Sequence, residues 1–269
     1  MGLASGNSNL SLSDFNYLAH QRITIRDDQV SRDQAWDMAR RAKSLRKSLV
    51  LIDTGVFSLA ELEWLIEAKA SVLSYPEGGR TPAEMLLLKK VAKRSKSLVV
   101  FAFRNVLGTN KSSQDWFNSM RQMGRDGIDL HVSGRDKPFG PEELFQLAAD
   151  CRRGGAWFLY YHHGPVEPWL IRLAQERAWL HLAAEFCRSE DAVILEELLR
   201  FYPGRRPRLV FHCSEKYPKE FEEIISARGG FFAYLLPPAG LLNKRRRQWR
   251  MEEKSPPFRA YHLHPKAMF

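Results

Sequence analysis

Short apolar runs recur along this chain at a nearly constant interval, and this period limits the possible folds more than any other feature. Successive runs begin about 23 to 31 residues apart. A short apolar run bounded by glycine or polar residues is typical of a buried strand. The runs lie at 48–53, 71–75, 97–103, 128–133, 156–162, 179–186, 208–213 and 231–236.

Segments with helical character separate these runs. The segment 58–70 begins with Ser58 and carries Glu61 three residues later, which is the capping-box pattern of a helix start. Strands that alternate with single helices predict βαβ units and a parallel sheet. Repeated units of similar length favour an α/β fold of the (β/α)8 TIM-barrel type. An open doubly wound parallel sheet is the alternative.

The two ends of the chain lie outside this period. Residues 21–28 and 31–44 resemble one more strand and helix, which could replace 231–236 in the count of barrel strands. We interpret 1–47 as an N-terminal extension that packs on the barrel. The barrel itself is assigned to 48–253, and a basic C-terminal arm to 254–269.

Strand alternation predicts which side chains face the barrel interior, whose layer at the carboxyl ends of the strands forms the active site. In 128–133 the apolar residues share one parity, which places His131 inside. The same argument places His181, Glu185 and His212 inside. Asp53 takes the inward parity at the end of the run 48–53.

The run 156–162 ends in two adjacent histidines. We assign Trp157, Leu159 and Tyr161 to the helix side, which places His162 inside and turns His163 toward the helix layer. On this interpretation, four histidines from four strands converge with two carboxylates at one mouth.

A single inward histidine is commonly a hydrogen-bonded core residue, but buried ionisable groups need partners, and their convergence favours a shared site. Imidazoles and carboxylates can bind a divalent metal ion that activates water, or act as general acids and bases without metal. We predict His181 as a supporting residue, and His131, His162 and His212 as possible metal ligands. The predicted catalytic set is Asp53, His131, His162, Glu185 and His212.

Positive charge at the predicted mouth favours an anionic small-molecule substrate. Arg80, Arg104 and Arg135 each follow a predicted strand, and the chain carries a net charge of +10. Guanidinium groups bind phosphate and carboxylate in bidentate fashion. The sequence therefore predicts a hydrolase of phosphoester-like substrates, assisted by metal in one version of the hypothesis.

A second hypothesis is a non-catalytic subunit built on the same barrel, which binds nucleic acid or serves in assembly. The stretch 244–250, KRRRQWR, combines guanidinium groups with Trp249, and such a combination can contact phosphates and stack on bases.

Cysteine usage and hydropathy predict a cytoplasmic protein. The cysteines Cys151, Cys187 and Cys213 are widely spaced and odd in number, which is typical of free thiols in a reducing compartment. The sequence shows neither a signal peptide nor an apolar run long enough to span a membrane.

Overall fold

Strands and helices alternate along the chain in its computed structural model. The structure describes residues 23–44, 49–104, 111–183, 186–201, 209–213 and 231–234. The chain divides into two units, residues 1–99 and 100–269.

The first unit contains three parallel strands that pair in the order of the sequence. Strand β2 lies between β1 and β3, with Ile25 opposite Leu51 and Leu51 opposite Val72. The 3₁₀ turn Pro76–Gly78 follows β3. The elements are β1 (Ile23–Arg26), α1 (Arg32–Ser44), β2 (Leu49–Asp53), α2 (Leu59–Glu67), β3 (Ser71–Ser74) and α3 (Pro82–Ser95).

The second unit continues the same pattern. Each strand from β4 to β9 pairs in parallel with the next one in sequence. Strand β4 begins at the last residue of the first unit. The elements are β4 (Val99–Phe103), α4 (Ser113–Arg125), β5 (Asp129–Ser133), α5 (Pro141–Gly154), β6 (Phe158–His162), α6 (Trp169–Gln175), β7 (Trp179–Ala183), the 3₁₀ turn Ser189–Asp191, α7 (Ala192–Arg200), β8 (Leu209–Cys213) and β9 (Phe231–Tyr234).

This alternation confirms the predicted (β/α)8-type fold class. Within neither unit does the strand order reverse among the described strands, as it does in a doubly wound sheet. The segments 21–28 and 231–236, which were alternatives in the predicted count of barrel strands, each contribute a strand, so nine strands are described. The predicted domain limits at 47 and 253 stay a prediction.

Local sequence defines where several helices begin. The Ser58 hydroxyl accepts a hydrogen bond from the backbone N–H of Glu61, and the Glu61 carboxylate accepts one from the backbone N–H of Ser58. Thr81 with Glu84 and Ser112 with Asp115 repeat this capping box at α3 and α4. Each box satisfies backbone donors that a helix start leaves without partners, so the predicted start at Ser58 is confirmed.

Helices α4 and α5 approach each other closely at small residues. A Cβ added to Gly124 would lie 2.9 Å from Sγ of Cys151, and one added to Gly154 would overlap the carbonyl oxygen of Gly124. A methyl group at Gly154 would therefore collide with backbone, and one at Gly124 would force Cys151 to shift.

A buried carboxylate also joins these two helices. Asp150 of α5 accepts hydrogen bonds from Nε of Arg121 at 2.7 Å and Nε of Arg125 at 3.0 Å, both on α4. Nη1 of Arg153 lies 3.3 Å from the same carboxylate. Because these arginines supply its counter-charge, Asp150 can be almost fully buried.

Candidate functional site

The strand register of the second unit assigns each side chain to one of two faces. We call the face that carries Phe101, Phe103 and Tyr160 the outer face. Trp116 of α4 packs on it, with its ring 5.4 Å from Phe101 and 6.2 Å from Phe103. Tyr160 in turn contacts Trp169 of α6 at 5.8 Å. The outer face is therefore the helix-covered one.

The opposite face, which we call the inner face, carries His131, Tyr161 and His181. His131 of β5 pairs with Leu159 of β6 in the register, and Tyr161 lies two residues after Leu159 on β6. Tyr161 then pairs with His181 on the next strand. Partners in a parallel register project to the same side of the sheet, so these three side chains share one face. We refer to them as the inner cluster.

The register corrects the predicted orientation of strand β6. His162 lies on the outer face, where its ring is 5.6 Å from Trp169 and its Nε2 is 2.7 Å from the carbonyl oxygen of Pro165. His163 takes the inner parity, and its ring lies 4.8 Å from Phe186. The sequence argument assigned these two residues the other way round because both parities of this strand are aromatic or apolar.

His131 is buried and neutral. Its Nδ1 lies 3.2 Å from the hydroxyl of Tyr161. Burial lowers the pKa of His131 to about 3, since desolvation disfavours the imidazolium form. Its Nε2 is closed from solvent and has no hydrogen-bond partner among the described residues. The neutral imidazole of His131 therefore has an open hydrogen-bonding position on the inner face.

Tyr161 completes the cluster, although the sequence argument placed it on the helix side. Its ring lies 4.6 Å from that of His181 and 5.8 Å from that of His131. Both Tyr161 and His181 are almost fully buried. The sequence predicted a supporting position for His181, and it lies beside Tyr161.

Two predicted anion-binding arginines follow strands of this unit. Arg104 comes directly after β4 and is half-buried, and its Nε is closed from solvent without a partner in the described part of the chain. Arg135 is exposed, and its backbone N–H donates to the Ser133 hydroxyl at 3.2 Å. Their roles in substrate binding stay a prediction.

In the first unit, Asp53 and Arg80 are bound to each other. Nε of Arg80 lies 2.9 Å from Oδ2 of Asp53, and Nη2 lies 2.8 Å from Oδ1. The Ser74 hydroxyl donates to the same carboxylate, and Arg80 also donates to the carbonyl oxygen of Phe57. The charges of a predicted catalytic residue and a predicted substrate-binding residue thus neutralise each other within one buried ion pair.

A second buried carboxylate, Asp27, lies at the end of the neighbouring strand β1. Asp27 is buried and accepts hydrogen bonds from the backbone N–H groups of Thr54 and Val56, each at 3.0 Å. The Thr54 hydroxyl also donates to Asp27 at 2.6 Å. These contacts fix the loop after β2.

The structure does not assemble the predicted metal site. No group of three or more His, Cys, Asp or Glu side chains able to hold a metal ion occurs within the described ranges. His131 and His162 lie on opposite faces. The backbone of His212 pairs with Ala183, and its side chain lies outside the described part. Glu185 and the basic stretch 244–250 also lie outside it.

None of the helices in the described ranges has the length and apolar character needed to cross a membrane.

Comparison with known proteins gives distant similarities to solved structures. No protein-family model matches the chain, and neither does a curated protein. A structure assigned as a mandelate racemase/muconate lactonizing enzyme from Sorangium cellulosum is 20% identical with a TM-score of 0.40. The match covers 66% of this chain and 48% of that one, so this chain spans about half the length of that protein.

Two other similar structures are assigned as aldolases. Deoxyribose phosphate aldolase from Aeropyrum pernix is 16% identical with a TM-score of 0.30, over 69% of this chain and 91% of that one. A deoxyribose-phosphate aldolase from Toxoplasma gondii ME49 is 11% identical with a TM-score of 0.34, over 86% of this chain and 93% of that one.

The predicted hydrolase function is corrected. The similar structures carry the names of a racemase or lactonizing enzyme and of aldolases, none of which is a hydrolase. At TM-scores of 0.30 to 0.40, the likeness assigns neither a family nor an activity to this chain.

Proposed function

We propose that the second unit binds a small carbonyl compound against the inner cluster. We propose that it promotes the loss of a proton from the carbon next to the carbonyl group. The observation that carries this proposal is the open Nε2 of His131, a buried position without a partner in the described structure. A buried donor left without a partner costs about 1–3 kcal/mol, so a ligand oxygen placed there removes that cost.

The hydrogen bond from Tyr161 determines which ring nitrogen of His131 carries the proton. When the Tyr161 hydroxyl donates to Nδ1, the neutral imidazole carries its proton on Nε2 and donates outward. A pKa of about 3 keeps His131 neutral across the physiological range. A neutral imidazole can polarise a carbonyl without giving up a full proton.

The proposed step balances as an enolisation. The proton on the carbon next to the carbonyl passes to solvent water, and the electron pair of the broken C–H bond moves to the carbonyl oxygen. The Nε2–H of His131 stabilises the negative charge that develops on this oxygen. Some isomerase and lyase reactions proceed through such intermediates. Glu185, which the sequence predicted as a base or ligand, lies outside the described residues.

The proposal is tested with the full chain and simple carbonyl probes. Nitrogen-15 NMR of the histidine side chains would follow Nε2 of His131 during titration with acetone, pyruvate and dihydroxyacetone. Proton NMR in deuterated water would follow exchange at the carbon next to each carbonyl. We expect both signals in the wild type and neither in His131→Phe.

His162→Phe is the matched control, because it replaces an equally buried histidine on the outer face. It should retain the exchange rate of the wild type. If His131→Phe and His162→Phe exchange at the same rate as the wild type, His131 has a packing role and the proposal is wrong.

A further inference from the structure

Arg104, directly after β4, takes the same strand parity as His131 on the neighbouring strand β5. Ala102 of β4 pairs with His131, and Arg104 follows Ala102 by two residues. Two residues of a strand span about 7 Å, so Arg104 begins about one row beyond His131 toward the carboxyl ends of the strands. An arginine side chain is long enough to bridge this distance.

Several arginines of the chain are neutralised by a carboxylate, whereas Arg104 is not neutralised in this way within the described ranges. Arg80 binds Asp53, and Arg121 and Arg125 bind Asp150. Arg104 is half-buried, yet it makes no ion pair within the described ranges, and its Nε is closed from solvent without a hydrogen bond. A guanidinium stays charged when buried, so this position favours an anion.

The unpartnered Nε donor of Arg104 limits the class of anion that can bind there. Nε together with one Nη forms the side-on pair of an arginine, whose spacing matches the two oxygens of a carboxylate. One guanidinium also balances the single negative charge of a carboxylate, whereas phosphate carries more charge at neutral pH. The geometry therefore favours a carboxylate over a phosphate group.

We propose that the ligand of the inner cluster is a short oxo-carboxylate, whose carboxylate binds Arg104 and whose carbonyl oxygen meets His131. This inference rests on the proposed function and adds the class of substrate. Arg104 is the specificity-determining residue, and because it begins only about one row from His131, we expect only a short ligand to contact both residues.

Four probes distinguish binding at Arg104 from binding at His131. Pyruvate carries both groups, acetate only the carboxylate, acetone only the carbonyl, and inorganic phosphate a different anion. Dissociation constants from NMR titration of the full chain should be lowest for pyruvate. Acetate should shift the Nε–H signal of Arg104, while acetone should shift only the Nε2–H signal of His131.

The matched variants are Arg104→Gln and Arg200→Gln, since Arg200 is an exposed arginine on α7 without an ion pair in the described part of the chain. A hydrogen bond to a charged group supports about a tenfold or larger effect, so Arg104→Gln should weaken pyruvate binding by at least that factor. Arg200→Gln should leave it unchanged. Arg104→Lys, which retains the charge but loses the side-on pair, should give an intermediate value.

The results distinguish this inference from the proposed function. If acetone binds at His131 and Arg104→Gln leaves the affinity for pyruvate unchanged, the inference about the carboxylate is wrong and the proposed function stands. If phosphate binds more tightly than acetate, the carboxylate assignment is wrong. If acetate shifts Arg104 while acetone and pyruvate leave His131 unchanged, both the proposed function and the bridging ligand are overturned.

Discussion

The Tyr161 hydroxyl lies 3.2 Å from Nδ1 of His131 and thereby connects two neighbouring strands across the inner face. Both side chains are almost fully buried, so this hydrogen bond is shielded from competition by water. It also decides which nitrogen of His131 is left for a ligand.

Tyr161→Phe removes this hydroxyl and leaves Nδ1 of His131 without its described partner. The free energy of unfolding should fall by about 1–3 kcal/mol, because a buried polar atom loses its hydrogen bond. Urea denaturation of the variant and the wild type measures this change. Tyr160→Phe on the outer face is the control, and an equal loss there would contradict the role of the Tyr161–His131 bond.

Stability should depend on pH through His131. Its pKa is about 3 in the folded protein against 6.5 for an unperturbed histidine, so the unfolded chain binds the extra proton as pH falls below 6.5. The contribution of neutral, buried His131 is complete above pH 6.5 and is lost progressively toward pH 3. The slope due to this one group reaches about 1.4 kcal/mol per pH unit.

Comparison with His131→Phe isolates this contribution from that of the carboxylates. The difference in unfolding free energy between wild type and variant should change between pH 6.5 and pH 4, and stay constant between pH 7 and pH 8. A difference that is constant over the whole range would mean that His131 titrates normally in the folded state.

The ion pair between Asp53 and Arg80 should be essential for the stability of the first unit. Asp53→Asn leaves a buried guanidinium without its counter-charge, and breaking a buried pair costs about 3–5 kcal/mol. Asp28→Asn, in the more exposed pair with Arg26, should cost less than about 1 kcal/mol. A double-mutant cycle with Arg80→Met measures the coupling, and a coupling near zero would refute the pairing.

Gly154→Ala should disrupt the packing of α4 against α5. The added methyl group overlaps the carbonyl oxygen of Gly124, which is backbone and cannot rotate away. We expect a loss of at least about 1–3 kcal/mol, the range for overpacked sites. The added methyl group at Gly140 would meet only a side-chain atom at 3.7 Å, so Gly140→Ala is the control for thermal unfolding. Equal melting temperatures for both variants would contradict this packing.

The sequence predicted the strands and helix starts well because these depend on local patterns. The capping box at Ser58 and Glu61 is read directly from residue types three positions apart. The parity of β5 was also predictable, since its polar residues alternate with apolar ones. His131 was therefore placed on the correct face.

Strand β6 could not be oriented in the same way. Tyr160 and Tyr161 are both buried, one against Trp169 and the other against His181, so polarity does not distinguish the two faces. Only the register with β5 settles the orientation. Likewise, the sequence marks Asp53 and Arg80 as charged strand-end residues, and only the fold of the loop after β3 shows that they bind each other.

The pairing of each strand with its successor within a unit has a consequence for synthesis on the ribosome. Leu130 meets Phe158 and Leu159 meets Trp179, so the partner of a strand emerges about twenty to thirty residues later. No described strand of the second unit must wait for a distant partner before it can pair. Because loop closure over such short spans costs little entropy, the sheet can grow strand by strand while translation continues.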